Sequence, residues 1–189
     1  MTTETQATGT TAPVLATWNI DPAHSSAEFG VKHMMISTVK GRFGTLSGTL
    51  QFDGSDMTMG SVEATIDVST IDTNEPNRDG HLRSPDFFHV EQHPHMTFKS
   101  SKVERVEGDE YRITGDLTIR DVTKPVTLDV TYEGQITDPY GNLRVGYAAE
   151  TTINRKEYGL TWGQMIENVG AVVGDKVKVN LHIEAVRQA

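Results

Sequence analysis

The side chains of this chain best suited to hold a metal ion are His89, His93 and His95, which stand beside Asp86 and Glu91. Imidazole nitrogens with a carboxylate suit zinc, and a bound zinc would supply a Lewis acid or an activated water. That gives one reading of the chain, a metal-dependent enzyme acting on a small hydrophobic substrate. The spacing argues against convergence, because His93 precedes Pro94 and His95 opens a strand-like run. Surface and loop-anchoring histidines are the better reading, and no metal is expected. A second polar cluster, Arg78-Asp79 with His81 and Arg83, allows two roles. Arg78 and Asp79 pair with each other or with nearby backbone to fix a loop, or Arg78, His81 and Arg83 face the polar head group of a ligand. His24, in Asp21-Pro-Ala-His-Ser25, is read as bonding a buried backbone group.

Other chemistries lose their support. No Gly-x-Ser-x-Gly elbow presents a serine nucleophile, and no glycine-rich phosphate or dinucleotide loop occurs. With no cysteine, a disulfide framework, a thiolate metal site and a cysteine nucleophile are all excluded. No catalytic residue and no cofactor is expected.

The elements that must position these groups are strands. Period-two alternation puts Ala27, Phe29 and Val31 on one face, then Leu46, Leu50 and Phe52. The pattern recurs in 62–68, 95–99, 111–119, 126–132, 146–153 and 177–183, which makes about eight strands. Turn signals separate them at Asp53-Gly54, Glu107-Gly-Asp109, Asp121–Pro125 and Asp138–Asn142. Short regular spacing predicts hairpins and an antiparallel sheet. A sheet with one apolar face buries it by closing into a barrel or by stacking as a sandwich, and periodicity alone does not separate the two. Between Ile71 and His95, the segment Asn77–Phe88 reads as a loop with a helical turn or two, limited by Pro85. Asn154–Gly174 is a second irregular stretch.

At 189 residues, 36% hydrophobic and 23% charged, the chain suits one domain, read as 17–189 behind a disordered Thr-rich tail at 1–16. A net charge of −9 disfavours nucleic acid and anionic membrane as main partners. The first residues have neither the basic nor the apolar region of a signal peptide, so a cytoplasmic location is expected. No later stretch is long and apolar enough to span a bilayer. Apolar loop patches leave room for a homodimer.

An ordered series of motifs runs along the chain. It comprises Trp18–Ser25, Phe29–His33 leading to Gly41-Arg-Phe43, Asp67–Thr73, Arg78–Phe88, Pro94–Phe98, Gly115–Ile119 with Val122–Val126, and Ile153-Asn-Arg155 with Tyr158-Gly-Leu160. In this the chain resembles the YceI-like family of lipocalin-like, polyisoprenoid-binding barrels. The resemblance implies an all-β, eight-stranded antiparallel barrel whose short helical loop caps one end. It also implies an apolar interior that takes a polyprenyl lipid, an isoprenoid quinone or another long-chain lipid. On that reading Phe29, Val31, Phe43, Leu50, Phe52, Ile66, Met96, Phe98, Tyr111, Leu117, Leu128 and Leu181 line the barrel. Phe87 and Phe88 form the apolar side of the lid, Trp162 and Met165 stand near a mouth, and Arg78, His81 and Arg83 are the head-group candidates.

Overall fold

A computed structural model of the chain describes residues 14–167 and 170–189. Its strands are β1 (Ala16–Ile20), β2 (Ser26–His33), β3 (Ser37–Phe43), β4 (Leu46–Phe52), β5 (Ser61–Asp67) and β6 (Ile71–Asp72). The single α-helix of the described residues, α1 (Pro76–Arg83), comes next. There follow β7 (His95–Glu107), β8 (Glu110–Ile119), β9 (Val122–Thr137), β10 (Leu143–Asn154), β11 (Met165–Ile166), β12 (Gly170–Ala171) and β13 (Val173–Arg187). Most of the expected tail, residues 1–13, lies outside the described residues, and Ala16 already pairs with Phe52.

Register makes several of these strands halves of one bent strand. β1 and β2 follow each other along the same edge of β13. On their far side β4 pairs with β1 and β3 with β2, and β5 and β6 repeat this against β4 and β3. With each bent pair taken once, the order is β1/β2, β3/β4, β5/β6, β7, β8, β9, β10, β13, and pairing of β13 with β1 and β2 closes the ring. The result is an eight-stranded antiparallel barrel, and each alternating run of the sequence falls on a different position of the ring.

Polar side chains make the bends by taking up the backbone groups that a broken ladder frees. Asp21 Oδ1 accepts from the Ala23 amide at 3.0 Å, and the Ser25 hydroxyl exchanges bonds with Glu184 backbone. Thr70 Oγ1 accepts from the amides of Gly44 and Thr45, and Asp67 caps the turn before β6. One expected turn is corrected. The chain reverses at Arg120-Asp121 alone, and Asp121–Pro125 is no turn, since Pro125 lies inside β9 opposite Asp116. Proline is tolerated there because β9 pairs with β10 only from Asp129 onward, so its other edge is open at that height.

The two ends of the barrel differ. One carries the tight connections 53–60, 108–109 and 138–142, with Gly108 supplying the positive φ of a two-residue hairpin. It is plugged by Trp18 stacked on Phe52 at 4.9 Å, with Met57, Tyr111 and Tyr147 buried beside them. The other end carries the long connections, including α1. Glu75 caps α1 by accepting from the amides of Asn77 and Arg78, Pro76 opens it, and Ser84-Pro85 ends it.

Candidate functional site

Between plug and cap lies a cavity of about 240 Å³, far more than the roughly 10–15 Å³ that one water needs. Along β13 its lining runs from Val173 to Ile183. Ten residue steps at about 3.3 Å make roughly 33 Å of strand, or about 25 Å along the axis after the usual tilt. The cavity is therefore long and narrow. Its only polar side chains among the described residues are Glu28, Thr97, Tyr147, Thr151 and Arg155, and Glu28 and Thr97 belong to exposed outer-face positions of β2 and β7.

Most of the residues expected inside are brought together. Phe29, Val31, Phe43, Leu50, Ile66 and Met96 line the cavity, as do Phe98, Leu117, Leu128 and Leu181. Two glycines make room for its rings. A Cβ on Gly41 would stand 2.3 Å from the Phe29 ring, and one on Gly115 2.6 Å from the Phe98 ring. The gap that Gly115 leaves in the inner face is thus occupied by Phe98 from the neighbouring strand. Phe87 and Phe88 also reach the cavity, from the segment after α1, together with Leu82 of the helix. Phe88 meets Phe43 edge-on at 6.0 Å.

Two expected lining residues, Phe52 and Tyr111, stand elsewhere, and Trp162 and Met165, expected near a mouth, lie outside the lining at the loop-bearing end. Phe52 is spent on Trp18 in the plug, and Tyr111 is held there by a hydrogen bond and ring contact from Arg105. Trp162 packs outside the lining, against His81 at 4.7 Å and Phe87 at 5.4 Å. Met165, in the short β11–β12 hairpin, is 78% exposed.

The three head-group candidates all stand in the cap and fasten it. Arg78 donates to the Thr73 hydroxyl at 2.7 Å and the Thr73 carbonyl at 2.8 Å. Asp79 accepts from the Thr73 amide and hydroxyl, so Arg78 and Asp79 each hold Thr73 and not each other. Arg83 donates to the carbonyls of Ser69 and Ile71 at 2.8 and 2.7 Å, and His81 pairs with Asp86 at 2.8 Å. A short polar loop cannot satisfy its own carbonyls by a ladder, and guanidinium forks do it instead.

The histidine group does not converge. His93 Nδ1 faces Asp121 at 3.4 Å, His89 meets His93 edge-on at 5.9 Å, and His95 is exposed on the outer face of β7. Among the described residues the one cluster with metal-ligand spacing is Asp21, His24 and Glu184. Arg144 already fills it, bonding Asp21 at 2.9 Å and Glu184 at 2.5 Å while its Nε takes Asp138 at 2.7 Å. Arg144, with His24 second, holds the Asp21 carboxyl down at about 2. His24 thus bonds a carboxylate, at 2.9 Å, where a backbone partner was expected.

Sequence reasoning missed much of the lining, including Ile113, Val126, Ala149, Ile153, Val177 and Ile183. Each shares the inner face of a strand already assigned, so counting by twos would have found them. Arg155 carries no such signal. It is buried in the turn after β10 and donates to the carbonyls of Gly174, Leu160, Trp162 and Val173, with Asp175 at 3.6 Å. Burial draws its pKa below the ordinary arginine value, against the pull of Asp175. Its donors are spent on tying 160–162 to the start of β13 across the cavity end. Tyr147, at the opposite end, is pushed well above the ordinary phenol range by burial and stands as a neutral hydroxyl. What the arrangement offers a guest is apolar contact along its length.

Comparison with known proteins agrees with this architecture. The family model described as the YceI-like domain matches residues 18–185. A UPF0312 protein of Pectobacterium atrosepticum is 41% identical over 165 residues, covering 87% of this chain and 82% of its own. The crystal structure of BcnA from Burkholderia cenocepacia superposes with a TM-score of 0.76 at 25% identity, over 87% of this chain and 98% of that one. A polyisoprenoid binding domain from Saccharophagus degradans, implicated in plant cell wall breakdown, superposes with a TM-score of 0.66 at 17% identity, over 92% and 99%.

Proposed function

The chain belongs to the YceI-like family, and from that premise we propose that it binds one long apolar lipid of polyisoprenoid or isoprenoid-quinone type inside the barrel, to sequester or carry it. The observation that carries this reading is the cavity inside the ring of strands, apolar along about 25 Å of its axis. The polyisoprenoid binding domain with the same fold supports the class of ligand. Length follows from energetics. Each buried methylene contributes about 0.8 kcal/mol, so ten carbons give about 8 kcal/mol, within the roughly 4–15 kcal/mol that association costs. Tight binding therefore needs a chain well beyond ten carbons. The protein works by holding its guest, not by converting it.

Native mass spectrometry of protein purified from cells, followed by organic extraction, tests the reading. One lipid per chain is expected. Protein that is wholly apo and then takes up no farnesol or geranylgeraniol would refute it.

A further inference from the structure

At the loop-bearing end of the barrel two hairpin tips present large apolar side chains to solvent. Ile36 is 86% exposed, Met165 78%, Met35 60% and Ile166 37%. The tips are joined. The Met34 amide donates to the Val172 carbonyl at 2.9 Å, and the Val172 amide to the Gln164 carbonyl at 2.9 Å. A Cβ on Gly170, the ladder partner of Ile166, would stand 4.0 Å from Met35 Cγ. Met34 and Met35 both have left-handed backbone, with φ of +49° and +60°, where glycine or asparagine would turn more freely. The apolar surface continues inward, because Val173 pairs with His33, Val31 pairs with Val177, and all three valines line the cavity.

We infer that these tips are a membrane-docking surface, on which Met35, Ile36, Met165 and Ile166 insert into the boundary between head groups and acyl chains of a bilayer. Docking sets the loop end of the cavity against the lipid from which a guest enters. An apolar patch of this kind marks a partner site, and two arguments choose a bilayer. The patch is continuous with the lining of a lipid cavity. It consists of two narrow tips carrying four side chains, short of the roughly 800 Å² per partner that a stable second copy needs. The net charge of −9 repels an anionic leaflet, so attachment is apolar and favours a neutral surface. The inference rests on the lipid-binding reading for its purpose, while its geometry stands apart from it.

Flotation of the full chain with phosphatidylcholine vesicles tests it. The unaltered chain is expected to float with the vesicles, with no loss at high salt, and the double variant I36S/M165S to lose at least ten-fold in bound fraction. The same variant should take up farnesol from an ethanol stock as the unaltered chain does, which shows that the barrel is intact. An unaltered chain that stays unbound, or a variant that floats equally well, overturns the inference. So does a concentration-dependent dimer, seen by light scattering, that the double substitution abolishes, since it gives the patch to a second copy. Failure of the unaltered chain to take up farnesol counts against the lipid-binding reading, and flotation alone decides docking.

Discussion

Ala149→Phe asks directly whether the guest lies inside the barrel. Ala149 is on the inner face of β10, between Val130 and Leu181 and one alternation from Tyr147 at the plug. A ring there enters an open space of about 240 Å³, so it fills without forcing its neighbours off their rotamers. The folded chain should be at least as stable, with an unchanged or raised midpoint in urea. The deep end of the cavity is lost to a guest. If the ring displaces one isoprene unit, five carbons at about 0.8 kcal/mol each remove about 4 kcal/mol, or roughly a thousand-fold in Kd. Titration against a displaced fluorescent apolar dye gives the affinities of geraniol, farnesol and geranylgeraniol. The loss should grow with chain length and nearly vanish for geraniol. A folded variant that binds geranylgeraniol as tightly as the unaltered chain would refute an axial guest. Equal loss at every length would refute the assignment of the deep end.

Three further outcomes follow from the same contacts. Gly41→Val should destabilise the chain by about 1–3 kcal/mol, because the new Cβ meets the Phe29 ring; adding Phe29→Ala should recover part of the loss, read as coupling in a urea double-mutant cycle. Arg83→Met strips the carbonyls of Ser69 and Ile71 of their donor and should cost about 1–3 kcal/mol, with amide exchange quickening across 71–90 and the preference between farnesol and farnesyl phosphate unmoved. Asp21 has its carboxyl lowered from 3.8 to about 2 in the folded chain by Arg144 first, so its stabilisation is complete above 3.8 and is lost as pH falls through about 2. The thermal midpoint should accordingly drop on acidification through that window, and Arg144→Met should flatten the drop. An Arg144→Met profile as steep as the original would show that other carboxylates govern it.

The inner face of the barrel was legible because its cause is local. A strand turns alternate side chains to opposite faces, so Phe29 and Val31 in β2, or Leu117 in β8, declare their side without any knowledge of neighbours. Counting by twos fails where a residue's partner is distant. Phe52 and Tyr111 lie on the inner face but belong to the plug, because Trp18 and Arg105 reach them there. Pro125 looked like a turn because its missing N–H is a local fact, whereas the open edge that tolerates it depends on where β10 begins to pair.

Charged groups were the least legible part. Arg78, His81 and Arg83 have the composition of a ligand-facing cluster, and only the folded loop shows them bonded to Thr73, Asp86, Ser69 and Ile71. Arg155 has no periodic signal at all, since its four carbonyl partners come from one loop and from the start of β13, joined by the fold. By itself the sequence determined that one face of about eight antiparallel strands is apolar, because alternation is a property of the chain. Tertiary structure decided how far along that face the chain fills its own interior and where the cavity begins, because those depend on side chains meeting across strands distant in sequence.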